Sequence, residues 1–356
     1  MKKKLILLSA VAISSLTLVG CNSGGGDEQP TSQGWSQVGN GNNSPLTYAL
    51  TIDTKTNFLY SGGVAYESNY NVGVVNQWNG VSWSQIGNKL KSYAAGGEHQ
   101  LGTWITTLAL NQSSGELYAG GISWLGVCEN SFTGEYWSSC GPQLSSIDTL
   151  SIGANGGNLY ASAENNAYML SDFGSGQQWY RIGQRSAPIH SVVVDNFNNV
   201  YGSSGDESGG SVWKYNSQTD LWMQLGNNFN GNAGKMAVSN NGSLYIVRND
   251  NNGDSILSAH SGVMTWNGSN WEFVSGGYIS GVVQLDSITV DQSGNVYVGG
   301  ITSDGYDGVW KWDGSSWSQI GGAGTIANCY TNVSAIAVDT IGNIYATCGS
   351  IYVHKP

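Results

Sequence analysis

Seven tryptophans recur at near-regular spacing, each followed by a glycine four or five residues on. The series is Trp35-Gly39, Trp83-Gly87, Trp137-Gly141, Trp179-Gly183, Trp222-Gly226, Trp271-Gly276 and Trp317-Gly321. Successive tryptophans lie 48, 54, 42, 43, 49 and 46 residues apart. A second series runs in step with it: Leu59-Tyr60, Leu117-Tyr118, Leu159-Tyr160, Val200-Tyr201, Leu244-Tyr245, Val296-Tyr297 and Ile344-Tyr345. Few folds accept a repeat of this length made only of short alternating segments.

Each repeat reads as four strands. An alternating segment such as I288-T-V-D291 leads through a polar turn to the Leu-Tyr strand. A third strand follows, as in V309-W-K-W312, and an Asp-Gly or Asn-Gly turn leads to the tryptophan strand. Glycine is abundant, 52 of 356 residues, and only 10% of residues are charged, as many tight turns between strands require. The expected fold is all-β, a seven-bladed β-propeller of four-stranded antiparallel blades. The two series are offset by one strand. Trp35 to Gly39 has no inner strands before it, and residues 333–339, 343–347 and 350–354 lack a fourth strand. The first segment is expected to join the C-terminal blade and close the ring, so that deleting the last 24 residues removes most of the cooperative stability.

The N-terminus is a separate part. Lys2, Lys3 and Lys4 precede an apolar run from Leu5 to Val19, which has the form of an export signal. Its end, L18-V19-G20-C21, resembles the lipobox of bacterial lipoproteins. That resemblance implies cleavage before Cys21, acylation of Cys21, and, with Asn22 rather than Asp next, delivery to the outer membrane. The competing reading is a soluble exported protein. The expected division is signal peptide 1–20, lipid anchor and polar tether 21–33, and propeller 34–356. Loss of the signal leaves 10 basic against 24 acidic residues, net −14, so nothing electrostatic favours nucleic acid or an anionic membrane.

Four cysteines remain. Cys128 and Cys140 flank one hairpin turn; Cys329 precedes one strand and Cys348 follows the next. The local pairing 128–140 with 329–348 is expected among three possibilities. No C-x-x-C spacing supports a metal site.

The double glycines at Gly62-Gly63, Gly120-Gly121 and Gly299-Gly300, each followed by an aromatic third strand and a tryptophan fourth strand, resemble kelch-type propellers. The expected role of these glycines is to admit an indole against the backbone. The units at Tyr160, Tyr201 and Tyr245 lack the pair, and the D-x-x-G-N-x-Y turn also resembles the NHL type.

Long connections follow the second or fourth strand of each unit, which gathers them on one face. Tyr66, Tyr70, Trp104, Trp124, Tyr278 and Tyr306 lie in or beside them and are candidate binding residues, either as contacts or as anchors of their own loops. His99, His190 and His260 belong to separate blades and read as single surface histidines. D250-N-N-G-D254 departs from a calcium loop, and kelch-type copper chemistry finds no positions to carry over. Asp148, Asp286, Asp304 and Asp307 sit near the same face, where two of them converging would make a hydrolytic pair. The favoured function is a monomeric recognition or assembly module without catalytic residues, metal or cofactor. It would be held to the envelope membrane by its lipid and bind an envelope protein or cell-wall glycan. The alternatives are a propeller enzyme acting on polysaccharide or peptide, and a purely structural envelope lipoprotein.

Overall fold

The computed structural model describes residues 34–356 apart from 42–43, 45, 68–69, 94–99, 102, 123–127, 131–136, 141–143, 173–176, 184–187, 207–208, 251–259, 322–325, 327–328 and 330–331. Cys21, His99, Trp124 and the turn 251–254 thus lie outside the described residues. No helix among the described residues is long and apolar enough to cross a membrane.

Six antiparallel sheets are each built from four consecutive strands. They span residues 46–85, 104–139, 147–181, 191–224, 232–273 and 282–319, here blades 1 to 6. A further four-stranded sheet is composite. It joins Ile336–Val338, Ile344–Cys348 and Ser350–His354 to Trp35–Gln37 from the other end of the chain, with Trp35 opposite His354 and Gln37 opposite Tyr352. A two-stranded ribbon, Ser92–Tyr93 with Gln100–Leu101, lies between blades 1 and 2.

The expectation of seven blades is corrected accordingly. Six blades are contiguous units, and the remaining sheet is a closure assembled from both chain ends. That closure is also less regular than a blade. Its inner strand is three residues long, whereas residues 333–339 were expected. At its start the Thr347 amide donates to the Ala335 carbonyl at 3.0 Å, while the Ala335 amide donates to the Thr347 hydroxyl at 3.0 Å in place of a second backbone bond. Cys348 ends the middle strand rather than following it.

Two local devices explain the repeat. In blade 4, the Asp195 carboxylate accepts from the amides of Phe197 and Asn199, from Asn199 Nδ2 and from Tyr201 Oη. Asp291 with Tyr297, and Asp339 with Tyr345, repeat the same network. The D-x-x-G-N-x-Y segment is therefore a cross-linked turn joining the first two strands, and its residues have a structural role.

The second device joins neighbours. Trp83, Trp137, Trp179, Trp222 and Trp271 each donate through Nε1 to the carbonyl of Val38, Ile86, Cys140, Ile182 and Leu225, at 2.7 to 3.0 Å. Each acceptor stands three residues after the tryptophan of the preceding sheet. The chain then turns through a left-handed glycine, such as Gly183 at φ +65°, where a Cβ would collide with the Trp222 indole. The indole approach therefore belongs to glycines that follow the tryptophans, as at Gly39, Gly183 and Gly226. The double glycines have another cause: a Cβ on Gly63, Gly121 or Gly300 would strike the bulged inner strand of its own blade. One on Gly62 or Gly299 would strike Ile105 or Val333 of the next sheet.

Candidate functional site

Inner strands line a central channel, and most of them are interrupted by a β-bulge near their first residues. The register shifts at Tyr48 in blade 1, Thr106 in blade 2, Asp148 in blade 3, Gly234-Lys235 in blade 5 and Asp286 in blade 6. A bulge removes one residue from the two-residue alternation and re-aims its side chain. Tyr48, Thr106, Asp148 and Lys235 consequently line one mouth of the channel, with His190 of blade 4 and Ser334 of the closing sheet. Asp286 holds the same register in blade 6. The mouth cavity has a volume of about 520 Å³, within the range of small-molecule sites, and a narrower cavity of about 180 Å³ continues along the inner strands.

The ring is divided. Blades 3 to 5 present Asp148, His190 and Lys235 in order, with Asp286 of blade 6 next in the series and close enough to act on Lys235, while the closing sheet and blades 1 and 2 present the hydroxyls of Ser334, Tyr48 and Thr106. Lys235 Nζ donates to the Ser334 carbonyl at 2.9 Å, passing blade 6 to reach it, so its side chain lies across the lumen. Gln284 donates to Asp286 Oδ1 at 2.6 Å, and Asp286 Oδ2 is buried without a hydrogen-bond partner.

Enclosure sets the electrostatics. Burial raises the Asp148 carboxyl above its ordinary range, against the opposing pull of His190. Burial raises Asp286 likewise, with Gln284 and Lys235 opposing, and lowers the Lys235 ammonium, with Asp286 opposing. Strands surround Asp148 and Lys235, yet both touch solvent along the channel axis, which moderates these shifts.

Asp307 stands behind Asp286 and is only 6% exposed, with Oδ1 lacking a partner. Burial, then the charge of Asp286, pushes its carboxyl up to about 7. Asp286 and Asp307 are thus the carboxylates that the fold brings into mutual influence. Asp148 belongs to a different arc of the ring, and Asp304 is exposed. A carboxylate oxygen of Asp307 and the sulfurs of Cys329 and Cys348 lie within 4.8 Å of one another. Those sulfurs are joined in a disulfide, with Cα atoms 5.2 Å apart, so the trio offers no thiolates to a metal. The 128–140 pairing involves a side chain outside the described residues. Cys128 faces Ser139 across its hairpin, and Cys140 is buried.

The aromatic candidates separate by environment. Tyr66 and Tyr70 are 67% and 42% exposed at the mouth-side end of blade 1, and Tyr48 lies near enough for the two phenols to influence each other. Glu67 between them binds Lys91 at 2.7 Å. Tyr278 is an anchor as well as a surface: its hydroxyl donates to Asp250 Oδ2 at 2.8 Å. Its ring meets Phe273, His260 and the Arg248 guanidinium. Trp104 and Tyr306 are half-buried, and the Tyr306 backbone is bonded to Thr302. Sequence reasoning missed the ring as a set. The signal was present: each ring position lies five residues before the turn residue Asp53, Asn111, Gly153, Asp195, Asp291 or Asp339, and in blade 5 four or five before Ser239.

No family model and no curated protein matches the chain. Solved structures do. A chain of Kuenenia stuttgartiensis hydrazine synthase is similar at TM-score 0.66 and 10% identity, over 88% of this chain and 96% of that one. The extracellular domain of a putative one-component system from B. thetaiotaomicron gives 0.63 and 12%, over 91% of this chain and 40% of that one. The β-propeller domain of Myceliophteria thermophila Cps50 (Swd1) gives 0.63 and 10%, over 90% of this chain and 98% of that one. This is a β-propeller. Identities this low show the propeller fold alone and favour no kelch-type assignment over other propellers.

Proposed function

We propose that this propeller is a recognition module whose ligand enters the bulge-lined mouth on the loop-rich face, and that Cys21 carries a lipid tethering it to the bacterial envelope. One observation carries the reading. Bulges turn polar side chains into a cavity of about 520 Å³, and a bulge that only bent the strand would not need charged residues at that place. Tyr66, Tyr70 and Tyr278 extend the surface outward on the same face. The partner is an envelope protein or cell-wall glycan, and the module acts as a monomer without cofactor. The L18-V-G-C21 segment supports the tether.

A hydrolytic reading has one observation in its favour, the coupled pair Asp286 and Asp307. Asp307 is enclosed behind Asp286 and beside the disulfide, where a substrate bond has no access, so recognition is preferred. Capture from solubilised envelopes with the full chain, run beside Asp148→Asn and Lys235→Met variants, tests the site. Equal capture by folded variants refutes the mouth as the binding place. Replacing Cys21 by Ser should abolish membrane partitioning; unchanged partitioning refutes the tether.

A further inference from the structure

The charged half of the ring is ordered, and its order restricts what fits. Along four successive blades the groups run carboxylate, imidazole, ammonium, carboxylate: Asp148, His190, Lys235, Asp286. Two carboxylates thus flank one ammonium along the arc. A simple anion approaching Lys235 meets net negative charge on both sides. A simple cation drawn to Asp148 or Asp286 meets Lys235, which lies across the lumen and is fixed at the Ser334 carbonyl. Either ion alone leaves part of the arc without a counter-charge in an enclosed site, where unpaired charge is costly.

We infer that the mouth recognises a small zwitterion, an amino acid or the two free ends of a dipeptide. The carboxylate would lie against Lys235, and the ammonium against Asp148, the carboxylate that lines the cavity. The inference rests on the recognition reading above and narrows it to a ligand class. Three features support it. Asp148 and Lys235 both line the cavity and are exposed to it, so one ligand reaches both charges. His190 lines the same cavity, and its Nε2 lies 3.1 Å from the Gly205 carbonyl, a contact that fixes the ring beside the two charges. The opposite arc of hydroxyls, from Tyr48, Thr106 and Ser334, offers neutral hydrogen bonds to the ligand's amide or polar side chain without adding charge.

Complementarity of this kind makes each ligand charge necessary, because removing one strands its protein partner. The test uses the intact wild-type chain and calorimetric titration with dialanine, N-acetyl-dialanine, dialanine amide, the doubly blocked dipeptide and a neutral trisaccharide. Free dialanine should bind, and blocking either end should weaken binding by about tenfold or more. In Lys235→Met the penalty for the amide should vanish while that for the acetyl group persists, and Asp148→Asn should do the reverse. Doubly blocked dipeptide or trisaccharide binding as tightly as free dialanine overturns the zwitterion and leaves the mouth as a recognition site. Absence of binding by free dialanine and by single amino acids at millimolar concentration also overturns it, while envelope capture decides the recognition reading separately. The blocking series needs no variant, so a misfolded substitution does not disable the test.

Discussion

The indole nitrogen of Trp35 donates to the carbonyl of Ile320, 3.2 Å away and 285 residues later in the chain. This bond repeats, at the closure, the link that Trp83 makes to Val38 between adjacent sheets. The strand Trp35–Gln37 is thus held twice, by its ladder to Ser350–His354 and by its own tryptophan. One joint lacks the link. Trp317 Nε1 is buried without a partner, and its expected acceptor, Val274, lies in the short 3₁₀ turn Val274–Gly276, where Ser275 has φ +67°. That turn contains the extra residue that makes the Trp271–Gly276 interval five rather than four.

Replacing Trp35 by Phe should destabilise the fold by about 2 kcal/mol in urea unfolding, since it removes a link and leaves a carbonyl unsatisfied. Trp317→Phe should be markedly milder, because no indole bond is lost. Equal losses in the two variants would show that the links do not set the stability of the joints.

Gly183→Ala should cost more than about 2 kcal/mol, because the position combines a left-handed φ of +65° with a collision against Trp222. Gly294→Ala, at φ +88° with open space around it, should cost about 1 kcal/mol through strain alone. Thermal unfolding of the two variants separates collision from strain.

Asp307 gives a pH signature. Its carboxyl is raised to about 7, so the folded state holds a proton that the unfolded chain releases near the ordinary carboxylate range. The contribution is fully present below about pH 4 and is lost as pH rises through 7. Asp307→Asn should remove that slope and be more stable than the parent at pH 8 by about 2 kcal/mol. This is roughly half of the full displacement, because Asp286 shares the repulsion. A parent whose stability is flat between pH 4 and 8 would contradict the enclosure of Asp307.

Loss of the Cys329–Cys348 disulfide, with a sequence separation of 19, should lower stability by about 3 kcal/mol, read as the shift in urea midpoint between the parent and Cys329→Ser/Cys348→Ser. The bond fastens Cys329 to the strand Ile344–Cys348 of the closing sheet.

Tyr66→Ala with Tyr70→Ala should leave stability within about 0.5 kcal/mol and weaken envelope capture, given their exposure. Tyr278→Phe should instead be destabilising, because its hydroxyl is bonded to Asp250. Normal capture by the folded Tyr66/Tyr70 variant would remove these residues from the binding surface.

Much of the architecture could be read before any coordinates, because strand order follows from local signals: the Asp-Asn-Tyr turn, the Asn-Gly hairpin and the Trp-Gly step. Each is complete within about seven residues. The candidate site was legible only in part. Asp148, His190 and Asp286 were noticed as individual residues, but the ring depends on bulges, and a bulge leaves no mark in alternation until pairing is known. The role of the double glycines was misread for a related reason. The second glycine of each pair meets the bulged inner strand of its own blade, and Gly62 and Gly299 meet Ile105 and Val333, which come from the next sheet and not from the same repeat. Tyr278 was read without Arg248, since 30 residues separate two side chains that share Asp250.

Because Trp35 must find Ile320, the outer rim serves as a gauge of the chain's own length. Each joint sets the angle at which the next sheet leaves, and the first tryptophan meets the last acceptor only when those angles sum to one full turn. A chain that gained or lost a repeat could keep every internal joint and still fail at this one. Recombination between repeats, which their similarity invites, is thereby checked at a single hydrogen bond and the short strand beside it.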